Sequence, residues 1–148
     1  QAYLDPAPPW GEAAQVIAGT DRRWSTYPFP AWQPDLSRDP EPTLDLTWDV
    51  PVTIRRIQLV FDGLTRAAHD MPFECGKRVS PQLVRDYTLE LYDQAHCVGQ
   101  ITATDQFRRL ACHRFDPVTI TRLRLRFVRA WDSQAQPAVY AIRVYTDE

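Results

Sequence analysis

Long apolar runs are missing from this chain of 148 residues. No stretch approaches the roughly 20 apolar residues that a membrane-spanning helix needs, so the sequence predicts no membrane span. An excess of basic residues is missing too, because 17 Lys and Arg stand against 19 Asp and Glu, for a formal net charge of −2. Nucleic-acid-binding faces usually shift this balance to basic, so we expect no nucleic-acid partner.

Motifs that carry catalysis are also missing. The chain has no G-x-S-x-G turn, no H-E-x-x-H pair and, with five glycines, little capacity for a loop that cradles phosphate. Carboxylates occur in pairs, such as Asp35 with Asp39, but in loop or solvent-facing positions that do not indicate general acid–base chemistry. The sequence therefore predicts a protein that is not an enzyme.

Cysteine is scarce, and its number is odd. Cys75, Cys97 and Cys112 cannot form a fully paired disulfide framework, so the sequence indicates no oxidising compartment and leaves the localisation open. A zinc site is not predicted either, because the neighbours in His96-Cys97 and Cys112-His113 point to opposite faces of a strand and no C-x-x-C spacing occurs. We expect the cysteines to be small buried hydrophobic residues.

Short segments that alternate polar and apolar residues recur along the chain. In residues 85–92, for example, Tyr87, Leu89 and Leu91 are expected to face a core, and Thr88 and Glu90 to face water. Thirteen prolines favour rigid turns over long helices. The pattern predicts an all-β jelly-roll sandwich of about eight strands, at residues 14–17, 43–48, 52–62, 85–92, 97–103, 110–115, 120–129 and 138–145.

Two long irregular segments separate the predicted strands. Residues 20–42 are dense in aromatic residues, and residues 63–84 contain His69 and several basic residues. Irregular segments of this length are uncommon in compact domains and are often functional. Residues 1–13 read as a linker without the layout of a signal peptide, and residues 14–148 as one domain. We therefore expect a domain taken from a longer protein.

The order of several motifs resembles a known family. The motifs are Val16-Ile-Ala-Gly-Thr-Asp21, the Trp24 and Trp32 region, Leu44-Asp-Leu46, Val50-Pro-Val-Thr-Ile54, Asp86-Tyr-Thr-Leu-Glu-Leu91, His113-Arg-Phe115, Arg122-Leu-Arg-Leu125 and Tyr140-Ala-Ile-Arg-Val-Tyr145. Together they are similar to the discoidin-like domain, the galactose-binding-like jelly roll of coagulation-factor C-terminal domains and many carbohydrate-binding modules. The motifs Leu59-Val-Phe-Asp62 and Arg108-Arg109 also look like a variant appended to bacterial FAD-dependent oxidoreductases and other multidomain proteins.

The resemblance implies a structural calcium site, and the sequence departs from it. In many family members a Glu just before the terminal Ile-x-Val-Tyr is a ligand, and Ala141 stands there in this chain. Thr20 and Asp21 would supply only part of the coordination that calcium prefers. The terminal cysteines of the secreted eukaryotic members are also missing, which argues against that branch.

The resemblance places ligand-binding loops at one end of the sandwich. Sugar recognition needs an aromatic face for the apolar side of a pyranose and polar side chains for its hydroxyls. The residues of these types in the predicted loops are Trp131, Arg66, His69, Arg108, Trp24 and Tyr27. Trp131 is the best exposed candidate because its neighbours are polar.

Several of these aromatic and polar residues also have a purely structural interpretation. Trp24 and Trp32 are more simply read as plugs of the core, His69 as a residue that braces its loop, and Arg108 as part of a surface ion pair worth about 0–1 kcal/mol. Arg122, Arg124 and Arg126 share one strand face. For this ladder we favour pairing with cross-strand acids such as Glu90 over phosphate binding.

Two functions follow from these observations. The first is a non-catalytic carbohydrate-binding module of a larger, bacterial protein, with glycan as the partner. The second is an interaction domain that docks on its parent enzyme without binding sugar. No cofactor is predicted, apart from the calcium whose ligand set is incomplete.

Overall fold

The computed structural model describes residues 13–17, 31–34, 36, 39–63 and 79–146. Five strands and one preceding 3₁₀ helix, Ala13–Ile17, form this part of the fold. The strands are β1 (Thr43–Phe61), β2 (Val84–Asp93), β3 (His96–Ala103), β4 (Leu110–Ala130) and β5 (Val139–Tyr145). No helix within these ranges has the length and apolar character that a membrane span requires.

The strands are antiparallel and follow the order β3-β2-β4-β1-β5. The two central strands are long, with 19 residues in β1 and 21 in β4. The first half of β1 pairs with the second half of β4, which also pairs with β2. The second half of β1 pairs with the first half of β4 and with β5. The β1–β4 ribbon therefore belongs to two layers, a first layer completed by β2 and β3 and a second layer completed by β5.

The two layers face each other across a hydrophobic core. Phe61, in the second layer, has its ring centroid 5.2 Å from that of Tyr87, in the first layer, although their strands are not paired there. Fully burying a side chain of this size contributes about 1.5–3 kcal/mol. Tyr87, Leu89 and Leu91 are all buried, which confirms the predicted inward face of β2. The all-β sandwich predicted from the sequence is confirmed.

Several predicted element boundaries were wrong. Residues 14–17 lie in the 3₁₀ helix rather than in a strand, and Val16 reaches the core from it. The predicted breaks at Asp49-Val-Pro51 and Asp116-Pro117 lie inside β1 and β4. Both prolines fall where the β1–β4 register shifts, so the missing N–H of proline interrupts no regular ladder bond. Two pairs of predicted strands consequently merge, and residues 14–17 are helical, so the described ranges contain five strands where about eight were predicted.

Three connections begin and end at the same end of the sandwich, each joining a strand of one layer to a strand of the other; of the first, only residues 62–63 and 79–83 are described. They comprise residues 62–83, 104–109 and 131–138, and they join strand ends that the register places together: Phe61 beside Val139, Val60 beside Leu110, and Val84 beside Ala130. We call this end the loop end. The β2–β3 hairpin turns at the opposite end, where Gln94 has a φ of 52°.

Trp32 shows why part of the first aromatic segment belongs to the core. The residue is 8% exposed and belongs to the main hydrophobic cluster. Its backbone N–H donates to the carbonyl of Val139 at 2.8 Å, and the Val139 N–H donates back at 2.9 Å. The interpretation of Trp32 as a plug of the core is confirmed.

Candidate functional site

A groove of about 460 Å³ lies along the connection 104–109 at the loop end. The connection leaves β3 in the first layer and enters β4 in the second, so the groove runs between the edges of the two layers. Its lining comes from this connection, from the strand residues that flank it and from one residue of β2: Tyr87, Ala103, Thr104, Asp105, Gln106, Phe107, Arg108, Leu110, Ala111, Cys112 and His113.

The buried carboxylate of Asp86 anchors the start of this connection. Asp86 is 4% exposed; its Oδ1 accepts the backbone N–H of Asp105 at 2.9 Å, and its Oδ2 accepts two bonds from Arg85 at 2.9 and 3.0 Å and a third from Arg129. Burial alone would raise the pKa of Asp86, but these hydrogen bonds outweigh it and lower the pKa to about 2. Asp105, with a φ of 51°, is thus held against an ionised group.

Gln106 ties the connection to β2 and to Trp131. Its backbone N–H donates to the carbonyl of Arg85 at 2.9 Å, and its side-chain amide donates to the carbonyl of Val84 at 2.9 Å. Its carbonyl accepts the indole N–H of Trp131 at 2.7 Å, and its side-chain oxygen accepts the backbone N–H of Arg108. The side chain and the backbone groups of Gln106 therefore fix the path of residues 104–109.

Trp131 lies at the loop end, as predicted, and it is partly exposed. Its side chain is 36% exposed, and its backbone N–H donates to the carbonyl of Leu83 at 3.1 Å. The guanidinium of Arg85 lies 5.6 Å from the centroid of the indole ring, so one ring face meets a cation and the indole N–H is already used. Trp131 supports the wall of the site and leaves only part of its ring to solvent.

Phe107 is the aromatic residue that projects most from this wall. It is 62% exposed, and the guanidinium of Arg108 lies 5.6 Å from its ring centroid. Leu110 adds a second apolar side chain, 49% exposed, at the start of β4. The sequence analysis missed Phe107. Its neighbours in Asp105-Gln-Phe-Arg-Arg109 are polar, and polar neighbours were the reason for choosing Trp131.

A tyrosine–histidine pair forms the inner part of the groove. The hydroxyl of Tyr87 and Nε2 of His113 lie 2.7 Å apart, and the two rings meet edge to face with centroids 5.8 Å apart. Burial raises the pKa of Tyr87 and lowers the pKa of His113. Burial thus favours the neutral form of both groups, and the hydrogen bond between them joins β2 to β4 within the frame.

Only two of the eight predicted site residues lie in the described ranges. Trp131 and Arg108 meet at the loop end through Gln106. The other six, which are Trp24, Tyr27, Arg66, His69, Thr20 and Asp21, lie outside the described residues. For those six, the assignments stay predictions.

The described residues do not fit a calcium site. Ala141 is 2% exposed in the middle of β5 and brings no oxygen ligand from its side chain. No group of three or more His, Cys, Asp or Glu side chains in the described ranges is arranged to hold a metal ion. The expected burial of the cysteines was wrong for two of them, because Cys97 lies on the edge strand β3 and Cys112 on the outer face of the second layer, and both are exposed.

Two of the three arginines in the ladder on the outer face of the first layer pair with acids, as favoured from the sequence. Arg124 makes two hydrogen bonds of 2.7 Å to Asp45, and they lower the pKa of that carboxyl. Arg126 contacts Glu90 at 3.4 Å and Glu41 at 3.2 Å. Arg122 places its guanidinium 4.1 Å from the ring centroid of Tyr92. Arg124 and Arg126 are thus ion-paired, and Arg122 packs against a ring with its Nε buried and without a hydrogen-bond partner among the described residues.

Comparison with known proteins adds evidence on the fold. No protein-family model matches the sequence, and no curated protein matches it significantly. Among solved structures, the family 32 carbohydrate-binding module of EndoD from Streptococcus pneumoniae matches with a TM-score of 0.64 and 14% identity, over 95% of this chain and 89% of that one.

Two further structures are similar over most of their length. Chitosan-binding module 1 of a chitosanase/glucanase from Paenibacillus sp. IK-5 matches with a TM-score of 0.58 and 13% identity, over 90% of this chain and 84% of that one. The lectin domain of lectinolysin, solved with Lewis B antigen, matches with a TM-score of 0.60 and 9% identity, over 95% and 88%. At identities this low, the structural similarity supports a conclusion about the fold only. The chain has the galactose-binding-like, discoidin-type jelly-roll fold.

Proposed function

We propose that this domain is a non-catalytic carbohydrate-binding module of a larger bacterial protein, and that it holds a glycan in the groove at the loop end. The observation that carries the proposal is the pairing of the exposed ring of Phe107 with the guanidinium of Arg108 at the groove's rim. Structures of the same fold that are named as carbohydrate-binding modules support it.

The chemistry of the groove suits a polyol. The ring of Phe107 offers a flat apolar face to the C–H side of a pyranose, and Leu110 extends that apolar area. Arg108 lines the same groove and carries a guanidinium that can reach sugar hydroxyls. The hydroxyl–imidazole pair in the groove's lining is Tyr87 with His113, and burial raises the pKa of Tyr87, which disfavours the phenolate that a nucleophile would need. The arrangement favours binding over reaction.

The expected affinity is weak. A shallow groove gains one stacking contact and a few hydrogen bonds, and it must offset the lost freedom of the glycan and the water it displaces. We therefore expect dissociation constants of about 0.1–1 mM for short oligosaccharides, which corresponds to roughly 4–5.5 kcal/mol.

The test is a calorimetric or NMR titration with a panel of galactose, fucose, N-acetylglucosamine and chitosan oligosaccharides. Phe107→Ala is expected to weaken the affinity for the best ligand about tenfold or more, because it removes the stacking face. Val50→Ala is the matched control, since Val50 is 70% exposed and lies in the middle of β1, away from the loop end. Absence of binding across the panel, or equal losses in the two variants, would contradict the proposal.

Docking on a parent enzyme is a second function that the same residues could serve. Phe107 and Leu110 form an exposed apolar pair of the kind found at protein contacts. If the domain binds no glycan, and if Phe107→Ala lowers the activity or changes the oligomeric state of the full-length protein, docking is the better account.

A further inference from the structure

The strand β3 lies at the edge of the first layer. It comes first in the order β3-β2-β4-β1-β5, and within the described ranges β2 is the only strand that pairs with it. Alternate residues of a strand direct their backbone N–H and C=O groups to opposite sides, so part of the backbone of His96–Ala103 faces away from β2. We call this side the outer edge of β3. It has the geometry to accept a further strand.

The outer edge of β3 lacks the usual protection against pairing. Natural edge strands carry charged residues or proline, or are covered by another element, but β3 contains no Asp, Glu, Lys, Arg or Pro. The first half of β1, at the other edge of the first layer, follows Pro40-Glu-Pro42 and contains Asp45. In the second layer, β5 meets the bridge from Trp32 to Val139 and packs against the 3₁₀ helix. Among the described strands, β3 therefore presents the least protected edge.

The regular part of β3 runs from Gly99 to Ala103. The pairing with β2 is continuous over this stretch, and the register shifts only nearer the hairpin turn. Ile101 and Ala103 are partly buried and pack against the hydrophobic core, whereas Gln100 and Thr102 are exposed. The stretch thus alternates between an apolar and a polar face, and the alternation is symmetric about Ile101.

We propose that the outer edge of β3 pairs with the same edge of a second copy of this chain, in antiparallel orientation about a twofold axis. An axis at Ile101 places this residue beside its own counterpart, which joins two partly buried apolar side chains. Gln100 then lies beside Thr102 of the second copy, so a polar side chain meets a polar one on the exposed face. The first layers of the two copies would form one continuous sheet.

The uncharged sequence of β3 favours a second copy as the partner. In a twofold pair a strand meets its own side chains, and like charges directly opposite each other are destabilising. A strand without charged residues avoids this repulsion, whereas the first half of β1 carries Asp45. Pairing about a twofold axis also uses up the outer edge of both copies, so the association through β3 stops at a dimer.

The pairing is expected to be weak. The regular stretch of each strand can form about four to six backbone hydrogen bonds with its counterpart, and a contact limited to one strand pair is smaller than a standard interface. We therefore expect a dissociation constant on the order of 0.1 mM. In an antiparallel pair the two loop ends point in opposite directions. That such a dimer bridges two glycan chains would rest on the proposed function; the pairing itself does not.

The test is sedimentation velocity of the protein without sugar, at concentrations from about 10 µM to about 1 mM, since the dimer fraction depends on concentration. A reducing agent is included because Cys97 and Cys112 are exposed thiols. We expect the sedimentation coefficient to rise with concentration from the monomer value toward the dimer value. Hydrogen exchange followed by NMR should slow severalfold with concentration at the amides of residues 99–103 that face the outer edge.

Charge variants at two exposed positions test the register. Gln100→Lys with Thr102→Lys places like charges opposite each other in two pairs and should weaken the association about tenfold or more. Gln100→Lys with Thr102→Glu places opposite charges in the same two pairs and should stay within about threefold of wild type or associate more strongly. Ile17→Lys with Val50→Lys is the matched control, because it adds the same charge as the first variant at exposed positions outside β3. It should stay within about threefold of wild type.

Four results would overturn the proposal. They are a wild-type protein that sediments as a monomer up to about 1 mM, an unchanged association in the variant with two lysines on β3, equal losses in the like-charged and opposite-charged variants, and hydrogen exchange in residues 99–103 that does not depend on concentration. Thermal unfolding checks each variant, and hydrogen exchange of the wild type decides the result if the like-charged variant unfolds. None of these measurements contains a glycan, so failure of the pairing leaves the groove untouched, and failure of the sugar titration leaves the pairing untouched.

Discussion

Replacing Asp86 by Asn is expected to destabilise the protein by about 2 kcal/mol at neutral pH. Hydrogen bonds from Arg85, the Asp105 backbone and Arg129 outweigh the cost of burying Asp86 and lower its pKa from 3.8 to about 2. Each pKa unit corresponds to about 1.4 kcal/mol of preference for the charged form. A shift of this size therefore contributes on the order of 2 kcal/mol to the free energy of unfolding.

The pH dependence of this effect has a definite sign. Because the folded-state pKa lies below the unfolded value, the contribution of Asp86 is present above about pH 4 and disappears as the pH falls through about 2. Urea unfolding followed by tryptophan fluorescence, at steps from pH 7 to pH 2, measures the difference between wild type and Asp86→Asn. We expect the difference to shrink toward zero in acid.

A control variant makes this result interpretable. Asp116 is exposed on β4, so Asp116→Asn should change the free energy of unfolding by no more than about 0.5 kcal/mol at any of these pH values. A difference between wild type and Asp86→Asn that stays constant from pH 7 to pH 2 would refute the ionic role of Asp86. A difference below about 0.5 kcal/mol at pH 7 would refute it as well.

Three other substitutions each remove one side-chain contact. Tyr87→Phe removes the hydrogen bond to His113 and should cost about 0.5–1.5 kcal/mol in urea unfolding; no loss would show that the pair is not formed. Trp131→Phe removes the indole N–H that binds the Gln106 carbonyl and should cost about 1 kcal/mol, with faster hydrogen exchange in residues 104–109; unchanged exchange would contradict the bracing role. Arg124→Gln should cost at most about 1 kcal/mol, because its ion pair with Asp45 is partly exposed, and added salt should reduce the loss; a loss that does not depend on salt would argue against an ionic contribution.

Alternation of polar and apolar residues predicted the all-β class and the inward face of β2, but not every strand boundary. Tyr87, Leu89 and Leu91 are buried because successive side chains on a strand point to opposite sides. The same local reasoning failed at Pro51 and Pro117. A proline in a polar context has the composition of a turn, and only the pairing of β1 with β4 shows that each falls at a shift in register.

The candidate site was predictable only in its general position. Trp131 and Arg108 were assigned to the loops at one end, and both lie there. The roles of Asp86 and Gln106 depend on contacts between residues about 20 positions or more apart, such as Asp86 with Asp105 and Gln106 with Trp131. Such contacts follow from the order of strands and not from local composition.

The most direct test of glycan binding at the loop end is a two-dimensional ¹H–¹⁵N NMR titration with the best oligosaccharide of the panel. We expect the largest shifts in residues 104–109 and in the indole N–H of Trp131, which bonds to the Gln106 carbonyl in the wall of the groove. The amides of the β2–β3 turn at Gln94, at the opposite end, should stay unchanged. Shifts confined to that opposite end, or no shifts at saturating glycan, would contradict the assignment.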